Sequence, residues 1–146
     1  IYTEGGQLNA DWVGTGNNDL RDVIWLNNIF YATRGTFGRC TGLASNGVYF
    51  DGNLYFSGRS EPFWNDYNGL GKQPTLQKAR LAFEQWEKHG LWADPKFVEA
   101  NAKSRDGWKL QKESPARDAG VKLPKGWPDI AVVRDGKPDI GAHEYD

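Results

Sequence analysis

A short phrase occurs twice in this chain, 25 residues apart. Asn28-Ile29-Phe30-Tyr31 and Asn53-Leu54-Tyr55-Phe56 both read asparagine, aliphatic, aromatic, aromatic. Each lies in a longer segment rich in β-branched and aromatic residues, Asp22 to Ala32 and Gly47 to Gly58. An offset of this size is the mark of a solenoid. One turn of chain cannot cover its own apolar strand faces, whereas a second turn stacked about 4.8 Å away supplies both ladder hydrogen bonds and cover. An asparagine at the same place in successive turns can form a side-chain amide ladder and tolerates the left-handed backbone of a sharp bend. Two copies also fit two ordinary antiparallel strands that share a motif by chance, since a solenoid reading rests on about three repeats or more.

Around this repeat the first half reads as strands and turns. Gly14 to Asp19 is a turn cluster, and Thr33 to Asn46, with Gly35, Gly38 and Gly42, is a loop with short strands. Residues 60–71 are polar, aromatic and turn-rich. Thr75 to His89 then carries apolar residues on one helical face: Leu76, Ala79, Ala82, Phe83 and Trp86. Thr75 is placed to cap that helix and Gly90 to end it, with Lys88 and His89 as favourable cations in its last turn. Beyond it, Asp94-Pro95 reads as extended or turn, Trp108-Lys109-Leu110 as a short strand and Ser114 to Gly120 as a turn. Pro124, Gly126, Pro128, Gly136 and Pro138 then break any long element.

Composition narrows the function classes. Eighteen basic and 19 acidic residues leave a net charge of −1, with no clustered basic stripe of the kind nucleic acid requires. No apolar run is long enough to span a bilayer. Cys40 is alone, so no intrachain disulfide forms, and a thiol catalyst would have only His89 and His143 as partners. No phosphate loop, His-Glu metal motif, paired-cysteine metal signature or serine elbow occurs. There is no methionine and the sequence opens at Ile1, which leads to the expectation of a processed or cut product. Seven Trp, seven Phe and six Tyr supply rings for a core or for sugar stacking.

The last third carries four phrases in order: Asp94-Pro95-Lys96-Phe97-Val98, Gly107-Trp108-Lys109-Leu110, Ser114-Pro115-Ala116-Arg117-Asp118-Ala119-Gly120 and Asp139-Ile140-Gly141-Ala142-His143-Glu144-Tyr145. Together with the Asn28 and Asn53 turns, this order resembles the closing signature of right-handed parallel β-helix proteins, over residues from about Asp22 to the end. Arg117, Trp108 and His143 depart from the family's usual residues, and Arg117 is expected to point outward or to pair with Asp118 or Asp139. The resemblance implies an all-β, right-handed parallel β-helix, here its C-terminal coils, with one inserted α-helix and an irregular C-terminal cap. The expected division is 1–59 coils, 60–93 loop and helix insertion, and 94–146 C-terminal coils and cap. In such a cap Asp94, Asp118 and Asp139 would accept backbone N–H groups. A calcium site built from them is the competing reading, although no EF-type spacing is present.

Members with this ending include polysaccharide lyases, glycoside hydrolases and non-catalytic surface proteins. The resemblance therefore implies a secreted, periplasmic or cell-surface location and a polysaccharide or oligosaccharide partner. It also implies an N-terminal remainder or partner chain along the edge of Ile1-Tyr2-Thr3. The reaction is left open by fold. Glu4 and Asp11 are the candidate catalytic acids, as hydrolysis needs two carboxylates about one bond. Arg34 and Arg39 are candidates to neutralise a uronate for β-elimination, in which a Lys, Arg, His or Tyr takes the proton. Trp12, Trp64 and Tyr67 are candidate sugar-stacking rings in loops. No cofactor and no metal ligand set is assigned, calcium apart.

Overall fold

β-Branched and aromatic residues in the two repeats favour strands, and the shared pattern sets those strands side by side. The structure is a computed structural model that describes residues 2–3, 24–32, 39–40, 49–57, 64–66, 71–73, 75–82, 86–100, 102–127 and 136–144. In chain order the strands are β1 (Tyr2–Thr3), β2 (Ile24–Leu26), β3 (Ile29–Ala32), β4 (Arg39–Cys40), β5 (Tyr49–Asp51), β6 (Leu54–Ser57), β7 (Trp64–Asp66), β8 (Gly71–Gln73) and β9 (Leu91–Trp92). One short helix, α1 (Leu76–Ala82), lies between β8 and β9. β3 pairs in parallel with β6, Ile29 opposite Leu54, and β2 with β5, Ile24 opposite Tyr49. Both registers reproduce the 25-residue offset, and the Asn28 amide donates to Asn53 Oδ1 at 3.1 Å. The left-handed residue at the bend lies one position earlier than the asparagine ladder: Asn27 has φ 55° and Gly52, its counterpart, φ 63°.

The larger expectation fails. The described strands form three small sheets: a four-stranded parallel one in the order β1-β3-β6-β9, the pair β2-β5, and a three-stranded one in the order β4-β7-β8. None of these closes and none continues as a solenoid, so the right-handed parallel β-helix is corrected to a small assembly of short sheets with one short helix. Physically, the repeat stops after two turns. The other neighbours in the large sheet, Tyr2 opposite Tyr31 and Leu54 opposite Leu91, depart from the 25-residue offset. β7 and β8 pair antiparallel, which a stack of parallel turns does not contain. After β9 the described residues form turns, a 3-10 turn and one isolated bridge rather than further strands.

Those turns cover one face of the large sheet. Ile29 and Leu54 pack with Leu110, Ala116 and Ile140, all buried, and with the partly buried Tyr31, Phe56, Leu91 and Phe97. Residues alternate along a strand, so Phe30 and Tyr55 take the opposite face. Their rings stack at 5.0 Å, with Trp25 against Phe50 at 6.3 Å and Phe50 edge-on to Trp86 at 5.1 Å alongside. Asp139 Oδ1 accepts the Asp118 N–H at 2.7 Å and Asp94 Oδ1 accepts the Lys96 N–H at 2.9 Å, so both act as turn carboxylates. Arg117 donates to the Lys112 carbonyl at 2.7 Å. Residues 106–108 form a 3-10 turn where a strand was expected, and Leu110 retains only an isolated bridge to Phe97.

The helix is half its expected length. Thr75 Oγ1 accepts the Lys78 N–H at 3.1 Å, so the N-cap is as read, but α1 is seven residues long. By Glu87 the backbone has left the helix: its φ is 51° and its N–H donates to the Phe50 carbonyl at 2.7 Å. Residues 86–93 are instead strapped to the large sheet, Leu91 N–H to Asn53 O at 2.7 Å and Ala93 N–H to Tyr55 O at 3.1 Å. Lys88 and His89 therefore do not serve a helix C-terminus.

Candidate functional site

The strap brings 86–90 against the turn that follows β5, and the chemistry-bearing side chains meet there. Asn53 is fully buried at the hub. Its Oδ1 accepts the Asn28 N–H at 2.8 Å, and its Nδ2 donates to the Trp25 carbonyl at 3.0 Å and to Glu87 Oε1 at 2.7 Å. Glu87 also accepts from Tyr55 Oη at 2.5 Å and from the Asn53 N–H at 3.2 Å. Only 4% of Glu87 is exposed, and among the described residues no cation pairs with its carboxylate. Burial therefore dominates and raises its pKa to about 7, against the hydrogen bonds from Tyr55 and Asn53 that favour the ionised form. Tyr55 is pushed well above its ordinary range by burial and by the Glu87 charge.

Asp51, at the end of β5, faces the other way. Its Oδ1 accepts the backbone N–H groups of Gly52 at 2.9 Å and His89 at 2.8 Å, and its Oδ2 lies 2.9 Å from His89 Nδ1. Burial is the largest single influence and pushes the Asp51 carboxyl up. The hydrogen bonds from the His89 backbone and ring and from Gly52, with the imidazole's charge, together outweigh it and hold the pKa below the usual value. An ionised Asp51 requires a proton on His89 Nδ1, which leaves Nε2 directed away from the carboxylate. The imidazole is half exposed, with 54% of its side chain accessible, while Asp51 is 7% accessible. Tyr49 Oη donates to the same Asp51 Oδ2 at 3.3 Å, and burial followed by the Asp51 charge raises its pKa. The arrangement is an exposed imidazole, fixed in ring plane and tautomer by a buried carboxylate, beside a phenol that stays protonated.

Glu4, Asp11, Trp12, Arg34 and Tyr67 are outside the described residues. Arg39 and Trp64 sit on adjacent strands, Arg39 opposite Asn65 and Trp64 opposite Gln73. Among the described residues no three His, Cys, Asp or Glu come together as a group that could hold a metal ion. No helix there is long and apolar enough to cross a membrane.

Sequence reasoning missed Asp51, Glu87 and His89 as a group. A signal existed within the repeat: the register sets Asp51 opposite Leu26, an acid where the first copy has an aliphatic residue. His89 was assigned to a helix end, and its pairing over 38 residues has no local signature. The chain matches no family model, no curated protein and no solved structure.

Proposed function

We propose that this chain belongs to a secreted polysaccharide-degrading protein and that its chemistry is proton abstraction at His89, in a β-elimination beside a uronate. The observation that carries this is the Asp51-oriented imidazole with Nε2 directed away from its carboxylate partner. Hydrolysis needs two carboxylates facing one glycosidic bond. At this site Asp51 is committed to four donors and Glu87 is buried, so neither is available for that role. In the elimination His89 Nε2 takes the proton from the carbon bearing the uronate carboxyl. A carbon–carbon double bond forms as the neighbouring glycosidic C–O bond breaks, and water supplies the proton to the leaving oxygen. The exposed Lys88 is the adjacent cation for the uronate carboxylate.

Incubation with polygalacturonate, alginate and neutral glucans tests this. The expected product is an unsaturated uronate, read by its ultraviolet absorbance, with a rate reduced at least about a hundredfold in His89→Ala. Reducing ends released without unsaturation would defeat the reading, as would full activity in His89→Ala. A folded protein inert on every polymer would favour a non-catalytic carbohydrate-binding role.

A further inference from the structure

A concave site lies on the Tyr31 side of the large sheet and shares no lining residue with the His89 cluster. It is a cleft of about 370 Å³ lined by Tyr31, Asp94, Lys96, Phe97, Gln111 and Glu113 among others. That volume is at the lower end of small-ligand sites. Its floor is aromatic and rigid. The Phe97 ring is clamped between Tyr31, at 5.7 Å, and Trp108, edge-on at 5.0 Å. Its rim is polar, and part of that rim is already fixed. Gln111 Nε2 donates to the Phe97 carbonyl at 2.8 Å, which leaves the amide oxygen as the acceptor this side chain offers.

Lys96 is held in the left-handed region, φ 51°, uncommon for a residue with a side chain. Two hydrogen bonds hold it there, its N–H to Asp94 Oδ1 at 2.9 Å and its carbonyl from the Gln111 N–H at 2.9 Å. Among the described residues Asp94, Lys96 and Glu113 enter no ion pair. The cleft thus combines a fixed ring face with two carboxylates, one ammonium and one amide, and among the described residues its charged groups enter no ion pair.

We infer that this cleft binds one neutral pyranose unit of a polysaccharide, its C–H face on Phe97 and its hydroxyls on Asp94, Gln111 and Glu113. Vicinal hydroxyls suit carboxylates, which accept two hydrogen bonds, and the apolar face of the ring suits an aromatic platform. Two carboxylates against one ammonium disfavour an acidic sugar here. The inference rests on the carbohydrate reading above, though not on its chemistry. Taken together, the two sites describe a polymer that carries neutral and uronate units.

Titration of the whole chain with cellobiose, mannobiose and digalacturonate, followed by backbone amide NMR, tests it. At least one neutral disaccharide should give saturable shifts at Lys96, Phe97 and Gln111, and digalacturonate should bind about fivefold more weakly or not at all. Gln111→Ala and Glu113→Gln alter exposed side chains, so both should fold. The first should abolish the shifts, and the second should narrow the discrimination against digalacturonate. Absence of shifts in the cleft, stronger binding of digalacturonate, or unchanged binding in Gln111→Ala would each overturn the inference. The unsubstituted chain separates the two proposals: saccharide shifts without lyase activity count against the elimination alone, and lyase activity without cleft shifts counts against the cleft alone.

Discussion

Replacing Glu87 by glutamine isolates the effect of one buried carboxyl on the pH dependence of folding. In the unfolded chain this group titrates near 4.5, and in the folded chain at about 7. The folded state therefore binds the proton more tightly, and between those values it holds more protons than the unfolded state. Stability consequently falls as pH rises. The contribution is fully present below the unfolded value and is lost as pH climbs through the folded one. A displacement of this size corresponds to roughly 3 kcal/mol between about pH 4.5 and pH 7.5. Asp51, whose pKa is depressed, works in the opposite sense but in a lower window, losing its contribution only as pH falls below the ordinary carboxylate range. Urea unfolding of the native chain and of Glu87→Gln at several pH values reads the difference directly. The variant sets an amide N–H against the Asn53 N–H or the Tyr55 and Asn53 donors, so it is the less stable protein in acid. The gap should shrink or reverse by roughly 3 kcal/mol toward pH 7.5. A gap that stays constant across this range would show that Glu87 is not held protonated near neutrality, and the account of its burial would fail.

Two further changes probe the same region. Asn53→Leu keeps the size of the side chain but removes the side-chain acceptor of the Asn28 N–H, a donor to the Trp25 carbonyl and one of the two donors to Glu87 Oε1, and should cost about 3 kcal/mol in urea unfolding. Gly52→Ala places a Cβ 2.8 Å from Asn27 Oδ1 and 3.1 Å from the Val121 methyls, at a φ of 63°, so a loss of about 2 kcal/mol in thermal or urea unfolding is expected.

The repeat was the most informative part of the sequence because it encodes register directly. Asn28 over Asn53 and Ile29 beside Leu54 could be read from it, since identical side chains in equivalent positions satisfy each other when strands lie in parallel. Asp94 was equally legible as a turn carboxylate, because an aspartate before proline acts locally, whereas Asp139 accepts the Asp118 N–H across 21 residues of chain. Extending two turns into a solenoid was the error. The sequence between Ser57 and Leu91 places an antiparallel pair and a helix where another rung would lie. The helix itself was overextended because the apolar face continues to Trp86, yet Trp86 packs on Phe50 and Glu87 donates to the Phe50 carbonyl. Tertiary hydrogen bonds there override helical periodicity. The same override hid the imidazole–carboxylate pair, since only the strap makes residues 51 and 89 neighbours.

Arg80 joins the helix to that strap. Its guanidinium, on α1, donates to the backbone carbonyls of Glu87 and Gly90, which flank Lys88 and His89 on either side. A planar fork that grips two points of one short loop transmits displacement as a lever does. The exposed outer face of the helix, where Leu81 is 76% accessible, is therefore mechanically continuous with the ring that carries the proton. One guanidinium and two carbonyls thus stand between Leu81 and the His89 loop.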